Sequence, residues 1–172
     1  MGRLLSTALR NLPAPALLYP LMEPASEVDP YGWRWSDSRQ IWRMHAGHDL
    51  IAPEGTAVLA MAAGRVVLVE VLDGYGLTVL LDHGSGWQSL YAHLLDSPLR
   101  EGAFLQAGDR IGRVGRSGRA TTDHLHVELR RRLPLDASGV AQVLAVDPSS
   151  PLALALQGLP LQQAQGVLPA LP

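Results

Sequence analysis

The chain has 172 residues, 47% of them hydrophobic and 17% charged, with 14 basic against 16 acidic residues and a formal net charge of −2. That composition suits one folded domain with a substantial core, and a charge so near zero provides no general field for nucleic acid or an anionic membrane, so neither is expected as a partner. There is no cysteine, which excludes thiol nucleophiles, disulfides and thiolate metal sites; every basic residue is arginine, which excludes the lysine of a P-loop and the Schiff-base lysine of pyridoxal enzymes.

The chain opens on MGRLLSTALR, whose apolar stretch is interrupted at Arg10. A cleavable signal needs roughly 7–15 unbroken apolar residues, so none is expected, and no run approaches the roughly 20 residues of a membrane-spanning helix. Proline then divides the chain. Only Pro53 and Pro98 of the 13 prolines lie between Tyr31 and Leu133, whereas 13 of the 17 glycines do. Glycine suits tight turns and proline interrupts strand ladders. The expectation is an extended arm over 1–30, a β domain over 31–148 and a tail over 149–172.

Within the domain, AVLAM (57–61), RVVLVEVL (65–72), LTVLLD (77–82), WQSLYAHL (87–94), DRIGRVG (109–115) and HLHVELR (124–130) read as strands. Turn signals at AAG, DGYG, HGSG, REG and RSG separate them. The class is all-β, an antiparallel sandwich or barrel-like sheet pair. In the tail, SSPLALALQGL and QQAQGVL suit helices kept short by Gly158, Pro160 and Gly166.

All six histidines fall between His45 and His126. In HLH, His124 and His126 are two apart, so on a strand they face one site about 6.6 Å from each other. In HAGHD, His45 and Asp49 would be about 13 Å apart if extended, too far to share a metal with bonds of about 2.0–2.2 Å. The chain must bend between them, and Gly47 permits it. Alternation turns His48 away from His45 into a structural or surface role. Two imidazoles and a carboxylate leave a tetrahedral position for water, the catalytic form of a zinc site. Spacing leaves open whether His124 joins that set or stands beside it.

HAGHDLIAPEGTAVLAMAAGRVV, GYGLTVLLDHGSGWQSLYAHL and AGDRIGRVGRSGRATTDHLHVEL resemble, in order and spacing, the lysostaphin-like (LytM-type) zinc metallopeptidase domain, with YGWR (31–34) similar to its first strand. The resemblance covers about 31–132. It implies an antiparallel β core with loops walling a groove, and zinc held by His45, Asp49 and His126. It further implies that His93 and His124 are unliganded histidines positioning water and substrate carbonyl, and that the substrate is a peptidoglycan peptide cut at glycyl or D-amino-acid bonds. That substrate implies an extracytoplasmic location. The same fold also serves as a non-catalytic peptidoglycan-binding or hydrolase-regulating module, which usually lacks a ligand; here all five positions are filled.

Other residues carry two readings. Glu128, on the His126 face, is either a partner of that imidazole's second N–H or a surface carboxylate. His83 suits a turn cap, and Tyr91 a half-buried strand position on the His93 face. Thr122 and Asp123 stand where Gly and Pro are common in the family, and Val127 where Phe is; the Asp123 carboxylate either raises the His124 pKa or faces solvent. The oligomeric state is not legible.

Overall fold

The computed structural model describes residues 14–37, 40–135 and 139–164. Among the described residues, twelve strands come first and two short helices follow. The strands are β1 (Glu27–Asp29), β2 (Gly32–Ser36), β3 (Ile41–His45), β4 (His48–Ile51), β5 (Ala57–Leu59), β6 (Gly64–Leu72), β7 (Gly76–Asp82), β8 (Trp87–Asp96), β9 (Phe104–Leu105), β10 (Arg110–Val114), β11 (His124–Arg132) and β12 (Val143–Val146). The helices are α1 (Ser149–Gln157) and α2 (Leu159–Ala164), with Gly158 between them and Pro160 in the first turn of α2, where a missing N–H costs nothing. No helix among the described residues is long and apolar enough to cross a membrane.

Ten strands form one antiparallel ladder in the order β1-β4-β11-β8-β7-β6-β9, with β10 joining β8 to β5 and β12 lying beside β11. Among the described residues β2 and β3 pair only with each other, as a separate hairpin. β11 lies inside the sheet, paired on both edges. β8 runs along one of its edges, and β4 and then β12 occupy the other. Alternation sends Leu125, Val127 and Leu129 to one face, while His124, His126 and Glu128 go to the opposite one. The same parity in β4 buries Leu50 and leaves Asp49 on the histidine side.

The core joins Val58, Val66, Val79, Leu81, Tyr91, Leu94, Ile111, Val114, Leu125 and Val127. The segment read as an arm enters this core over its described part. Tyr19 and Leu21 are buried, Leu18 N–H donates to the Met61 carbonyl, Leu59 N–H donates to the Pro20 carbonyl, and β1 pairs with β4. Burying a leucine such as Leu21 stabilises by about 2 kcal/mol. Helix α1 adds Leu152 and Ala155 to the same core, and Gln162 of α2 donates to the Tyr19 carbonyl at 3.1 Å. Arm and tail therefore pack against each other. Residues 1–13 and 165–172 lie outside the described residues.

Candidate metal centre

His45 closes β3, Asp49 stands in β4, and His126 pairs with Asp49 across the β4–β11 ladder. The bend between His45 and Asp49 passes through Gly47, as the spacing requires, but for a reason of room rather than backbone conformation. Its φ is not in the left-handed region, and a Cβ there would lie 2.3 Å from the Val127 carbonyl oxygen. Only glycine lets the β3–β4 turn lie against β11.

The three groups converge. His45 Nε2 lies 3.0 Å from Asp49 Oδ1 and 3.2 Å from His126 Nδ1, and Asp49 Oδ1 lies 2.6 Å from His126 Nδ1. Tetrahedral zinc bonds of about 2.0–2.2 Å would put ligand atoms roughly 3.3–3.6 Å apart, so a small outward movement admits a metal. The other ring nitrogens assign the protons: His45 Nδ1–H donates to the Pro30 carbonyl at 2.8 Å, and His126 Nε2–H to Glu128 Oε1 at 3.0 Å. Two bare nitrogen lone pairs and a carboxylate oxygen are left facing one point. A cation satisfies that set.

Without a cation, protons take its place between these atoms. Burial pushes the Asp49 carboxyl up, but hydrogen bonds from His126 and His45 outweigh it and hold the group well below the usual carboxylate range. Burial likewise pushes His126 down, yet Asp49 and Glu128 bring it up to about 8. Two carboxylates thus draw positive charge to an almost dry imidazole. Glu128 is 1% exposed and, against its own burial, is held at about 2 by His126 and Arg130. It receives His126, the Tyr75 hydroxyl at 2.7 Å and Arg130 Nε at 2.6 Å. Of its two sequence readings, the partner of His126 is the one observed.

His93 and His124 flank this triangle, their rings 4.7 Å apart and the His93 ring 5.9 Å from that of His126. Each donates Nδ1–H to a backbone carbonyl at 2.8 Å, Ser117 for His93 and Thr122 for His124, so each keeps Nε2 as a free acceptor. His124 Nε2 is 3.7 Å from Asp49 Oδ1. Burial is the main cause of a lowered His93 pKa, reinforced by the neighbouring imidazoles. His93 has φ 59°, a left-handed conformation that is uncommon outside glycine. The β7–β8 register slips between Val79↔Tyr91 and Leu77↔Leu94, so Ala92 and His93 together oppose Thr78. Such a bulge re-aims a side chain. Tyr91, expected on the His93 face, is therefore in the core, where its hydroxyl accepts from Met61 N–H at 2.8 Å.

The centre floors a groove of about 540 Å³. One wall is the β2–β3 hairpin, with Arg34, Trp35, Ser36, Arg43 and Met44; the other is the β6–β7 turn, with Asp73, Gly74 and Tyr75, together with Arg119. Arg119 bonds both Asp73 oxygens at 2.9 Å, and the two turns touch so closely that a Cβ on Gly118, itself at φ 72°, would sit 2.3 Å from Gly76 N. That contact places the Ser117 carbonyl under His93.

His48 is buried and structural: its Nδ1 accepts Tyr31 N–H at 3.1 Å and its Nε2 meets Ser149 Oγ at 3.3 Å. His83 ties loop to strand rather than capping its turn, through the Ala63 carbonyl and Ser89 Oγ, while Asp82 takes the Gly84 N–H. Asp123 faces Arg116 at 3.7 Å. Val127 packs in the core. Tyr75 went unread. Its ring lies 5.5 Å from His126, and only its place in the GYG turn hinted at a site position.

Comparison with known proteins gives a consistent assignment. The chain is 42% identical to the DD-carboxypeptidase/endopeptidase Mpg of Neisseria meningitidis serogroup B over 101 residues, 59% of this chain and 23% of that protein. It is 43% identical to the murein hydrolase activator EnvC of Escherichia coli over 81 residues, 47% of this chain and 19% of the relative. The chain thus spans about a quarter or less of these relatives' length. Its fold overlays on the antimicrobial peptidase lysostaphin from Staphylococcus simulans with TM-score 0.60 and 28% identity, covering 74% of this chain and 48% of that one. A model of peptidase family M23 matches residues 43–143, and with the lysostaphin-like β fold and the converging His-Asp-His group, the chain belongs to peptidase family M23.

Proposed function

We propose that this protein is a zinc-dependent endopeptidase acting on peptides of the bacterial cell wall, outside the cytoplasm. The observation that carries the reading is the triangle of His45 Nε2, Asp49 Oδ1 and His126 Nδ1, with the ring protons of the two histidines drawn to their outer nitrogens by the Pro30 carbonyl and Glu128, and two further imidazoles beside it. Zinc held there would supply Lewis acidity, lowering the pKa of water toward about 7 and polarising a carbonyl.

The remaining work falls to the chain. Glu128 fixes the His126 ring and keeps its proton on Nε2. His93 and His124 keep bare Nε2 atoms beside the metal triangle, where one takes a proton from water and hands it to the leaving nitrogen, and the other accepts a hydrogen bond from the water or from the leaving amine's N–H. The bulge at His93 supports this division, because backbone strain is retained where it aims a functional group. The hairpin and the β6–β7 turn confine an extended peptide between them.

A second reading is a non-catalytic activator of other wall hydrolases, favoured by the 43% identity to EnvC. One experiment separates the two: zinc quantified on the purified chain, with mass spectrometry of peptidoglycan incubated with it. One zinc per chain and newly cut peptide cross-links support the peptidase. A chain that binds peptidoglycan and releases no peptide ends is the activator, and products cut only in the glycan would refute both.

A further inference from the structure

The groove carries more positive charge on its hairpin wall than its own acids neutralise. The β2–β3 register sets Arg34 opposite Arg43 and Gly32 opposite His45, so Arg34, Arg43 and His45 share one face of the hairpin. Like charges directly opposite on paired strands destabilise them by roughly 0.2–1 kcal/mol. Arg34 is relieved by its ion pair with Asp29, and Arg119 across the groove by Asp73. Arg43 is exposed, lines the groove, and among the described residues has no side-chain ion pair or hydrogen bond. It stands one alternation step, roughly 6.6 Å along the strand, from His45.

Resting on the peptidase reading, we infer that Arg43 recognises a carboxylate of the substrate peptide, one or two residues beyond the bond presented to the metal centre. A guanidinium fork matches a carboxylate with two parallel N–H···O bonds. An extended peptide advances about 3.3–3.6 Å per residue, so a free C-terminal carboxylate one or two residues past the cut falls within reach of a side chain rooted that far from His45. The groove would therefore favour peptide ends over the middle of long bridges. The acid on the leaving segment, rather than the sequence before the cut, becomes the main determinant of choice.

The test uses the zinc-loaded full chain with two probes, acetyl-Gly-D-Ala-D-Ala and its C-terminal amide, titrated by NMR to obtain Kd and assayed separately for hydrolysis. The expected result is an acid bound about 10- to 100-fold tighter than the amide, the range for a hydrogen-bonded charge. Arg43→Gln should erase that difference while changing amide binding less than about twofold, and Arg43→Lys should restore part of it because the charge returns without the fork. Equal binding of acid and amide, no binding of the acid, or discrimination that survives in Arg43→Gln each overturns the inference. Hydrolysis reports on the other reading: preference for the acid without cleavage leaves Arg43 its role and removes the peptidase, whereas cleavage without preference does the opposite.

Discussion

The two halves of the site are built to different standards. β11 is paired along both edges, and its His126 and Glu128 are 6% and 1% exposed. Among the described residues the β2–β3 hairpin has no strand beyond its own two, and its Trp33 and Trp42 are 69% and 63% exposed, with Trp35 edge-on to Trp42 at 6.0 Å. The groups proposed to hold the metal stand, His45 apart, where neighbours on every side fix their rotamers, while the hairpin groups proposed to face substrate stand on a ribbon that bends at little cost. His45 belongs to the second region but serves the first, and its bond to the Pro30 carbonyl is what holds it.

The sharpest way to break this comparison is to remove a ligand from each side. His126→Ala should abolish both zinc retention and activity, whereas His45→Ala should leave weak, measurable zinc; metal content after dialysis decides, and equal retention would put both halves on one footing. Next come the neighbouring imidazoles. His93→Ala and His124→Ala should lower turnover by roughly 10²–10⁴-fold, the usual contribution of a positioned acid–base group, with zinc content unchanged; full activity or lost zinc in either variant removes the role assigned to it.

A smaller effect should come from the shell around His126. Glu128→Gln should weaken zinc binding by about 10- to 100-fold, measured by competition with a chelator, and unaltered affinity would mean that packing alone orients the ring. On the same rigid side, burial lowers the His83 pKa. Between that value and about 6.5 the unfolded chain holds the extra proton, so this contribution is complete above about pH 6.5 and lost as pH falls through the window. Urea melts across that range should slope downward toward acid, and His83→Gln should flatten the slope. The smallest change is expected on the hairpin: Trp33→Ser and Trp42→Ser should each shift stability by no more than about 0.5 kcal/mol. A loss of several times that would mean the hairpin is packed more firmly than its exposure indicates.

Period-two alternation was enough to read β11, because a strand paired along both edges cannot slip register without exposing Leu125 and Val127. It failed at β8, where one extra residue at Ala92–His93 resets the parity and sends Tyr91 and His93 to different places. The joining of Asp49 to His126 was legible as a need for a bend, but the collision that makes Gly47 obligatory depends on β11, some 80 residues away in sequence. Short edge strands such as β1, β9 and β12 carry too few residues for a periodic signal and form by pairing with partners already in place. The apolar residues of the arm allow it to pack on the domain, but that Tyr19 and Leu21 are the ones that enter the core was not legible, because the prolines around them mark the absence of a ladder and not the absence of a core contact.

The separation of the hairpin from the ten-stranded ladder has a mechanical consequence. A metal ion joining His45 to Asp49 and His126 spans the seam between two sheets that share no backbone pairing, so it would act as a clasp as well as a reagent. Ligand that binds only the closed, folded form stabilises it in proportion to RT ln(1 + [L]/Kd), and here that gain would fall chiefly on the hairpin. Chelation should then speed amide exchange across residues 31–46 while leaving β8 and β11 protected. Uniform acceleration along the chain would show that the two sheets open together.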